Sequence, residues 1–447
     1  MGKKWYLCWI GLLVFVLFLA GCGNDEDASG KGKDDSGNED GVTIKFHTWI
    51  NDDAGKWDKV VAAFEEEHPE INVEVEPLVE NMSNEEYLQK LDLLASSGEE
   101  LDVMMFSDVT DLSKRADAGL VAPIDSLIEE EKLNIEEEYS NSSYPKIDDS
   151  YYGLPGKMVT MLVLLNKDHL DEAGLPVPTD WTWEDYKEYA EKLTKTEGNT
   201  KRYGSYFHTW PDVYFILKLL GKQENSSIVN SDGTSNMEDP MLEETLKLRY
   251  DMEQVDKSSV PLSETLSQKL DYRQQFFSES ASMIPSGSWM VSEWGAFTPD
   301  FTMAWAPWPK NNEEGPSYTE IGGDIFSIAN NSEHKEEAYT FIRWMTTEGM
   351  ILQETWIPTW NNSDLNEVLD NIIATTTNPE AVDKESLIYT LENSVPGIRS
   401  YPFSYLTEAY NEFNTEAELY LLGDQDLETT ISNAKEKVQA VIDENQK

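Results

Sequence analysis

The alternation of apolar and polar residues that begins at Val42 predicts an α/β fold. Val42, Ile44 and Phe46 alternate with polar neighbours, which is the period of two expected for a β-strand. Apolar residues then recur at helical spacing, and a second alternating run follows Pro69. The helical residues are Trp57, Val60, Val61 and Phe64, and those of the second strand are Ile71, Val73 and Val75. A strand, a helix and a strand in this order favour parallel strands joined by a right-handed crossover.

The same two patterns continue along the rest of the chain. Apolar runs predict further strands at 101–106, 158–165, 283–289 and 321–328, the third of which runs into a Gly/Ser loop. Capping signals predict helices that begin after positions 83, 182, 239 and 332. We therefore expect α/β structure throughout.

The first 41 residues follow a different pattern. Lys3 and Lys4 precede an apolar run over 5–20, and small residues then lead to Cys22, as in a secretory signal. The alternative is a membrane span, but the run is short for the roughly 20 residues that a span needs. Residues 19–22 (LAGC) resemble the lipobox of bacterial lipoproteins. That resemblance implies that a signal peptide, 1–21, is removed and that Cys22 carries the lipid of an acidic tether, 22–41.

Charge and cysteine content exclude several kinds of partner and site. The formal net charge is −51, and loss of the two signal-peptide lysines makes it −53. Nucleic acids and anionic lipid surfaces would repel such a chain. Cys8 leaves with the signal, so Cys22 is the only cysteine of the mature chain, and disulfides and thiolate metal sites are excluded.

Sequence motifs give no support for catalysis, a metal or a cofactor. No GxSxG, HExxH, P-loop or dinucleotide fingerprint occurs, and the five histidines are scattered. A turn at 230–239 lacks the aspartate that opens a calcium loop. Paired carboxylates remain an open alternative, because a hydrolase needs only two placed roughly 5–9 Å apart and the chain has 85 acidic residues.

Five segments, in order, carry a resemblance to a known family. The segments are 57–75, 87–106, 152–194, 277–289 and 322–345. Together they resemble the family-1 extracellular solute-binding proteins of bacterial ABC importers. One departure is Leu165, where the family commonly has tyrosine before the Asn166-Lys167 pair.

The resemblance implies a two-lobed, periplasmic-binding-protein-like fold. Each lobe would be a mixed sheet flanked by helices, with the ligand cleft between the lobes. The expected domains are 42–150 and 306–348 for lobe 1, and 151–305 and 349–447 for lobe 2. It also implies a monomer, held by lipid at the extracytoplasmic face of the cell membrane. This monomer would deliver its ligand to transmembrane permease subunits that work with a cytoplasmic ATPase.

Tryptophan is the candidate chemistry, since twelve of the fourteen tryptophans lie beyond Cys22. Indole planes can cover the apolar face of a sugar ring while a few polar groups bond its hydroxyls. Trp49 and Asn51 follow the first strand and Asp108 follows the third, where α/β sheets bind ligands. The alternatives are a core position for Trp49 and a helix cap for Asp108.

The second half of the chain adds further candidates. Trp210 precedes a proline in a predicted loop, Trp356 lies near another proline, and the family resemblance implies that Trp289 stacks on sugar. Of Trp305 and Trp308, we expect one and not both to face the cleft, and we favour Trp308. Asp324 follows two glycines whose amides either bind ligand or form a tight turn. The predicted contacts are Trp49, Asn51, Asp108, Trp210, Trp289, Trp308, Asp324 and Trp356.

The scarcity of arginine favours a neutral sugar or oligosaccharide as the ligand. Only six arginines occur, and phosphorylated or strongly acidic ligands usually require an arginine fork. Arg399 is the residue that could serve a uronate. Two alternatives stay open, a lipid-anchored carbohydrate hydrolase and a binding protein of the same fold for a non-sugar solute such as glycerol phosphate.

Overall fold

The computed structural model describes residues 41–140, 146–397 and 402–446. The predicted signal peptide, Cys22, the tether up to residue 40, and Arg399 lie outside the described residues. Over the described ranges, no helix combines the length and the apolar character that a membrane span requires.

Strands and helices are interspersed over the described ranges, and the structure is α/β throughout, as the sequence predicts. The strands are β1 (Val42–Thr48), β2 (Ile71–Pro77), β3 (Val103–Phe106), β4 (Leu154–Asn166), β5 (Lys195–Glu197), β6 (Thr200–Ser205), β7 (Ala281–Gly287), β8 (Met303–Ala306), β9 (Ser317–Thr319), β10 (Ile321–Ile328) and β11 (Ser394–Pro396). The helices are α1 (Asp52–Gly55), α2 (Trp57–Glu67), α3 (Asn84–Ser97), α4 (Val109–Asp117), α5 (Asp125–Glu131), α6 (Ile135–Glu138), α7 (Lys167–Ala173), α8 (Trp183–Leu193), α9 (Pro211–Tyr214), α10 (Leu217–Leu220), α11 (Pro240–Tyr250), α12 (Leu262–Gln268), α13 (Tyr272–Phe277), α14 (Lys335–Trp344), α15 (Met350–Gln353), α16 (Leu365–Thr375), α17 (Lys384–Asn393), α18 (Leu406–Leu422) and α19 (Leu427–Asn445). Short π- and 3-10 segments adjoin several of them, among them a π-helical stretch at Met345–Gly349 and a 3-10 turn at Ser288–Val291.

The first three strands form the parallel unit that the sequence predicts. β1 pairs in parallel with β2 on one side and with β3 on the other. β10 then joins β3 in antiparallel orientation, with Ile325 opposite Phe106. This part of the sheet is therefore mixed, and a strand from late in the chain closes it.

Strand β4 belongs to both halves of the molecule. Its first half pairs with β10, and its second half pairs with β7 and β8. The expectation of one sheet per lobe is thus corrected in one respect, since nine of the eleven strands in the described ranges form a single continuous sheet. The reason is that β4 runs on through thirteen residues without a break.

Buried side chains form separate cores on either side of this shared strand. One core takes residues from 44–154 and 325–356, and we call the part of the molecule around it the N-lobe. Two further cores take residues from 161–308 and 357–442, and we call that part the C-lobe. Within the C-lobe, Val163 and Leu165 enter one core and Leu162 and Leu164 the other, so both faces of β4 are covered. This explains why its sequence is a continuous apolar run.

Helix caps agree with the sequence except at one helix. Thr182 and Asp185 form a capping box at α8, and the Asp239 side chain caps α11. The helix predicted from position 332 begins at Lys335 instead. The Ser332 hydroxyl donates to Asp102 and accepts from the His334 amide, and both residues precede the first turn of the helix.

Candidate functional site

A charged cluster lies where β4 passes from the N-lobe to the C-lobe. Lys157 on β4 donates to Glu293 at 2.8 Å, and the Trp356 indole N–H donates to the same carboxylate at 2.7 Å. Arg273 reaches the second oxygen of Glu293 at 3.2 Å. Glu293 therefore joins side chains from three separate segments of the chain.

The electrostatics of the cluster favour an ion pair. Burial alone would raise the pKa of Glu293, but Lys157 and Arg273 outweigh it and hold that pKa below its ordinary value. Burial would likewise lower the pKa of Lys157, yet Glu293 and Asp324 raise it. Both groups stay charged at neutral pH, as a buried pair with further hydrogen bonds should.

Asp324 on β10 is the neighbouring carboxyl group, and it has a different character. Its side chain is 5% exposed, and its Oδ2 lies 4.0 Å from the Lys157 ammonium without a hydrogen bond to any described residue. Burial raises the pKa of Asp324 to about 7; Lys157 opposes this, and Glu293 and Asp108 add to it. Asp324 is therefore partly protonated at neutral pH. We call Lys157, Arg273, Glu293 and Asp324 the charged cluster.

Beside the charged cluster lies a group of mutually packed rings, His208, Trp210, Tyr214, Tyr272 and Trp289, which we call the aromatic wall. Trp210 contacts Tyr272, Tyr214 and Trp289, with ring centroids 5.2, 5.7 and 5.8 Å away. Trp210 and Trp289 are both half-buried, so part of each indole faces solvent. The wall offers flat apolar surface at the edge of the C-lobe.

The wall and the charged cluster form one continuous surface. The indole N–H of Trp289 donates to the Tyr272 hydroxyl at 3.2 Å, and the Arg273 guanidinium lies 4.7 Å from the centre of the Tyr272 ring. Trp289 follows directly on Ser288, whose hydroxyl accepts from the Thr160 amide of β4. The aromatic surface is thus fixed to the strand that joins the lobes.

The loop that carries Trp210 lies near the N-lobe. Burial raises the pKa of Asp111 in α4 to about 7, and Asp108 and Asp212 are among the charges that add to the shift. Asp212 lies two residues after Trp210. The loop that carries Trp210 therefore lies close to the N-terminal turn of α4, which belongs to the opposite lobe.

A buried ion pair, Arg249 with Glu253, packs against the loop that carries Trp210. Arg249 and Glu253 are both inaccessible to solvent and 2.8 Å apart. The Arg249 guanidinium donates to the Tyr214 carbonyl and lies over the rings of Phe207 and Phe215. Its planar shape suits this packing between rings, and it fixes both ends of the loop.

This arrangement can bind a ligand that has both an apolar face and polar edges. The wall provides the face, and the charged cluster provides donors and acceptors beside it. Among the residues that the structure describes, no group of three His, Cys, Asp or Glu side chains is arranged to hold a metal ion.

The sequence profile of one family, described as bacterial extracellular solute-binding protein, matches residues 49–351. The match covers about two thirds of the chain and includes both halves of the site. The chain belongs to this family.

Sequence relatives of this solute-binding protein are themselves sugar-binding proteins. The multiple sugar-binding protein of Streptococcus mutans is 24% identical over 77% of this chain and 79% of its own length. The arabinooligosaccharide-binding protein of Halalkalibacterium halodurans is 23% identical, in an alignment that spans 47% of this chain and 46% of that protein.

Solved structures confirm the fold class of the solute-binding protein. An ABC substrate-binding protein from Listeria monocytogenes, in complex with cycloalternan, has a TM-score of 0.72 at 20% identity. The comparison covers 90% of this chain and 99% of that one. A Mycobacterium tuberculosis protein in complex with glycerophosphocholine has a TM-score of 0.73 at 16% identity and covers 91% and 99%. The predicted two-lobed, periplasmic-binding-protein-like fold is therefore confirmed.

Four of the sequence-predicted site residues lie together in the structure. Trp210 and Trp289 are in the aromatic wall, and Asp324 is in the charged cluster. The Trp356 indole donates a hydrogen bond to Glu293 of that cluster. Trp356 is 4% exposed, so little of its surface is open in this conformation.

Three predicted residues of the N-lobe have local structural partners. Trp49 is 7% exposed and packs against Tyr87 with ring centroids 5.5 Å apart. Asn51 caps α1 through the Ala54 amide, and Asp108 caps α4 through the amides of the next turn. Trp49 therefore has a core position and Asp108 caps a helix, which were the alternatives to ligand contact. The charge of Asp108 also helps to raise the pKa of Asp324.

Trp308 is the predicted contact that the structure removes from the site. It has no exposed surface, its indole N–H donates to the Leu217 carbonyl at 3.0 Å, and its ring meets Trp183 edge to face. Trp305 is 1% exposed and equally buried. Neither of these two tryptophans contacts the cleft, because the chain at β8 runs inside the C-lobe.

The sequence reasoning missed most of the polar part of the site. Lys157, Arg273, Glu293, Tyr272 and His208 were not singled out. The sequence holds a usable signal for Lys157, which is a single charged residue directly before the apolar run 158–165. The other four residues occur in local sequences that do not differ from those around ordinary exposed residues.

A cavity of about 480 Å³ lies elsewhere, beside α14 and Trp360. Its polar walls are already paired with one another. Arg343 bonds to Glu131 and Glu138, and the Trp360 indole donates to Glu138. Nearly all residues that line this cavity belong to the N-lobe, whereas the wall and the charged cluster lie where β4 passes between the lobes. We therefore assign the binding chemistry to the wall and the charged cluster.

Proposed function

We propose that this protein captures a sugar or oligosaccharide between its lobes and delivers it to an ABC importer. The observation that carries the proposal is the half-buried pair Trp210 and Trp289, set directly beside a buried charged cluster. A sugar ring has an apolar C–H face, which suits the indoles, and a rim of hydroxyls, which suits the charged groups. The sugar-binding relatives support the same ligand class.

A quaternary ammonium ligand is the second candidate, because aromatic rings also attract cations. The spacing of the rings favours a sugar. Trp210 lies 5.2 to 5.8 Å from Tyr214, Tyr272 and Trp289, so the rings touch and leave no room for a cation between them. The wall is therefore a surface on which a sugar ring can stack, and it does not enclose a cation.

The experiment is a thermal-shift screen of the purified protein against maltotriose, arabinotriose, raffinose and glycerophosphocholine. A ligand that binds only the folded state raises the melting temperature. We expect at least one of the three sugars to do so. If glycerophosphocholine raises the melting temperature and no sugar does, the sugar assignment is wrong.

The proposed mechanism is a population shift between open and closed lobes. The ligand must bind the closed state more tightly than the open one, and the permease would respond to closure. The shared strand β4 and the predicted domain boundaries near 305/306 and 348/349 are the segments where such a movement would bend. The predicted domains, 42–150, 151–305, 306–348 and 349–447, belong to this proposal, although Met350 and Trp356 pack in the N-lobe core.

The proposal includes lipid anchoring at the extracytoplasmic face of the membrane. Cleavage after residue 21 would leave Cys22 to carry the lipid and 22–41 to serve as the tether, and we expect the protein to act as a monomer with permease and ATPase subunits. Cells that express Cys22→Ser should show no palmitate label on the protein, whereas the wild type should be labelled. Palmitate label that persists in the variant would contradict the anchor.

We also propose that binding is not followed by catalysis. Arabinotriose and maltotriose incubated with the protein should yield no new reducing ends. Release of reducing ends, lost again in a Glu293→Gln variant, would favour the hydrolase alternative.

A further inference from the structure

His208 is a member of the aromatic wall that carries hydrogen-bonding nitrogens. Its ring meets Trp210 edge to face at 5.3 Å and contacts Tyr272 at 5.5 Å and Tyr214 at 6.1 Å. The side chain is half-buried. His208 therefore sits among the rings that the proposed function assigns to the sugar.

A short hydrogen-bond chain fixes which ring nitrogen carries the proton. The Tyr206 hydroxyl lies 2.9 Å from the Leu270 carbonyl oxygen and 3.0 Å from Nδ1 of His208. A carbonyl can only accept, so the single hydroxyl proton of Tyr206 goes to Leu270. Nδ1 must then carry a hydrogen and donate it to the Tyr206 oxygen. Nε2 is left as a bare acceptor.

The imidazole also stays neutral. Burial lowers the pKa of His208 to about 4; Asp271 opposes the shift and Arg273 reinforces it. Near neutral pH the ring carries no charge, and Nε2 keeps its lone pair. Nε2 makes no hydrogen bond to another residue in the part of the chain that the structure describes.

We propose that His208 Nε2 accepts a hydrogen bond from a hydroxyl of the bound sugar, beside the indole faces of Trp210 and Trp289. This inference rests on the proposed function and adds a specificity to it. A neutral acceptor requires a donor on the ligand, and it opposes a carboxylate or phosphate oxygen placed at the same point. His208 thus selects an uncharged, hydroxyl-bearing group.

Two matched variants test the acceptor. His208→Phe keeps an aromatic ring in the wall but removes both nitrogens, whereas His208→Gln keeps an amide oxygen that can accept. Calorimetric titration at pH 7 uses whichever of maltotriose, arabinotriose and raffinose gives the largest thermal shift. We expect about 10- to 100-fold weaker binding for His208→Phe and a loss of less than about fivefold for His208→Gln.

The tautomer is tested in the unmodified protein, which avoids any dependence on the folding of a variant. With ¹⁵N-labelled histidine, the Nε2 resonance of His208 should lie in the range of an unprotonated imidazole nitrogen and shift when the sugar is added. Tyr206→Phe, which removes the group that holds the tautomer, should let protonated and unprotonated Nε2 exchange.

The outcomes separate this inference from the proposed function. If a sugar binds the wild type and His208→Phe binds it equally well, the inference is wrong and the proposed function stands. A protonated Nε2 in the free wild-type protein also overturns the inference. If none of the three sugars binds the wild type, the proposed function fails and the inference fails with it.

Discussion

The substitution Asp324→Asn should change how the stability of the protein depends on pH. Burial raises the pKa of Asp324 from its ordinary value of 3.8 to about 7. The folded protein therefore keeps the proton of Asp324 at pH values where the unfolded chain has released it. Stability from this group is fully present below pH 4 and is lost as the pH rises through 7. Asparagine has nearly the same shape but does not titrate.

The size of the effect follows from the two pKa values. At about 1.4 kcal/mol per pH unit, the full difference corresponds to about 4 kcal/mol in the free energy of unfolding. Between pH 5 and pH 8 the wild type should lose about 2.5 kcal/mol relative to Asp324→Asn. Urea unfolding of both proteins at the two pH values measures this difference directly. Titration of other groups is common to both proteins and cancels.

The matched control is Asp232→Asn in an exposed turn. Hydrogen bonds from Thr234 lower the pKa of Asp232, so this carboxylate is ionised in both states throughout the range from pH 5 to pH 8. Its substitution should change stability by the same amount at both pH values. The reasoning is refuted if Asp324→Asn behaves like this control.

Three further substitutions test the assignment of the site. Trp289→Ala should weaken sugar binding at least about tenfold in a calorimetric titration, because it removes one of the two half-buried indoles of the wall; unchanged affinity would place the ligand elsewhere. Trp308→Ala should lower the free energy of unfolding by about 3–5 kcal/mol in urea, as expected for a core tryptophan, and a loss below about 1 kcal/mol would contradict its core position. Glu293→Gln leaves Lys157 and Arg273 without their carboxylate and should cost about 3–5 kcal/mol by the same measurement, whereas a fully stable variant would show that the cluster is not a coupled unit.

The sequence predicts the strands and helices well because their apolar periods are long and regular. β4 shows where the prediction falls short. The apolar run begins at Met158, but the strand begins at Leu154, through Pro155 and Gly156, which read as turn residues. In the structure a Cβ at Gly156 would lie 2.5 Å from the ring of Phe326. Glycine at 156 lets β4 approach β10 closely. The local sequence cannot show this requirement, because Phe326 of β10 is about 170 residues away.

The candidate site is only half predictable from the sequence, and the tryptophans show why. Trp289 follows a short strand-like run and Trp308 lies near the predicted boundary at 305/306, but neither local sequence shows which way the indole points. Their difference arises from packing, since Trp308 turns inward to reach the Leu217 carbonyl and Trp289 stays at the edge. A sequence of this length has many such positions, and local pattern alone cannot rank them.

Ion pairs are less predictable still, because their partners are far apart in the chain. Lys157 and Glu293 are separated by 136 positions and meet only when β4 and the segment that follows the 3-10 turn Ser288–Val291 are both in place. With 85 acidic residues, no carboxylate stands out by its sequence. The sequence therefore gives the ligand class through its tryptophans but not the polar groups that orient the ligand.

The position of β10 in the sheet has a consequence for how the chain is made. In the N-lobe, β10 lies between β3 and β4, yet it follows β4 by about 150 residues in the chain. The N-lobe sheet cannot be completed until roughly three quarters of the protein has been synthesised, and contacts of such long sequence separation form slowly. If the predicted signal peptide exports this chain before it folds, its first half cannot fold fully for most of that passage. The strand order of the sheet would then delay folding until the chain is outside.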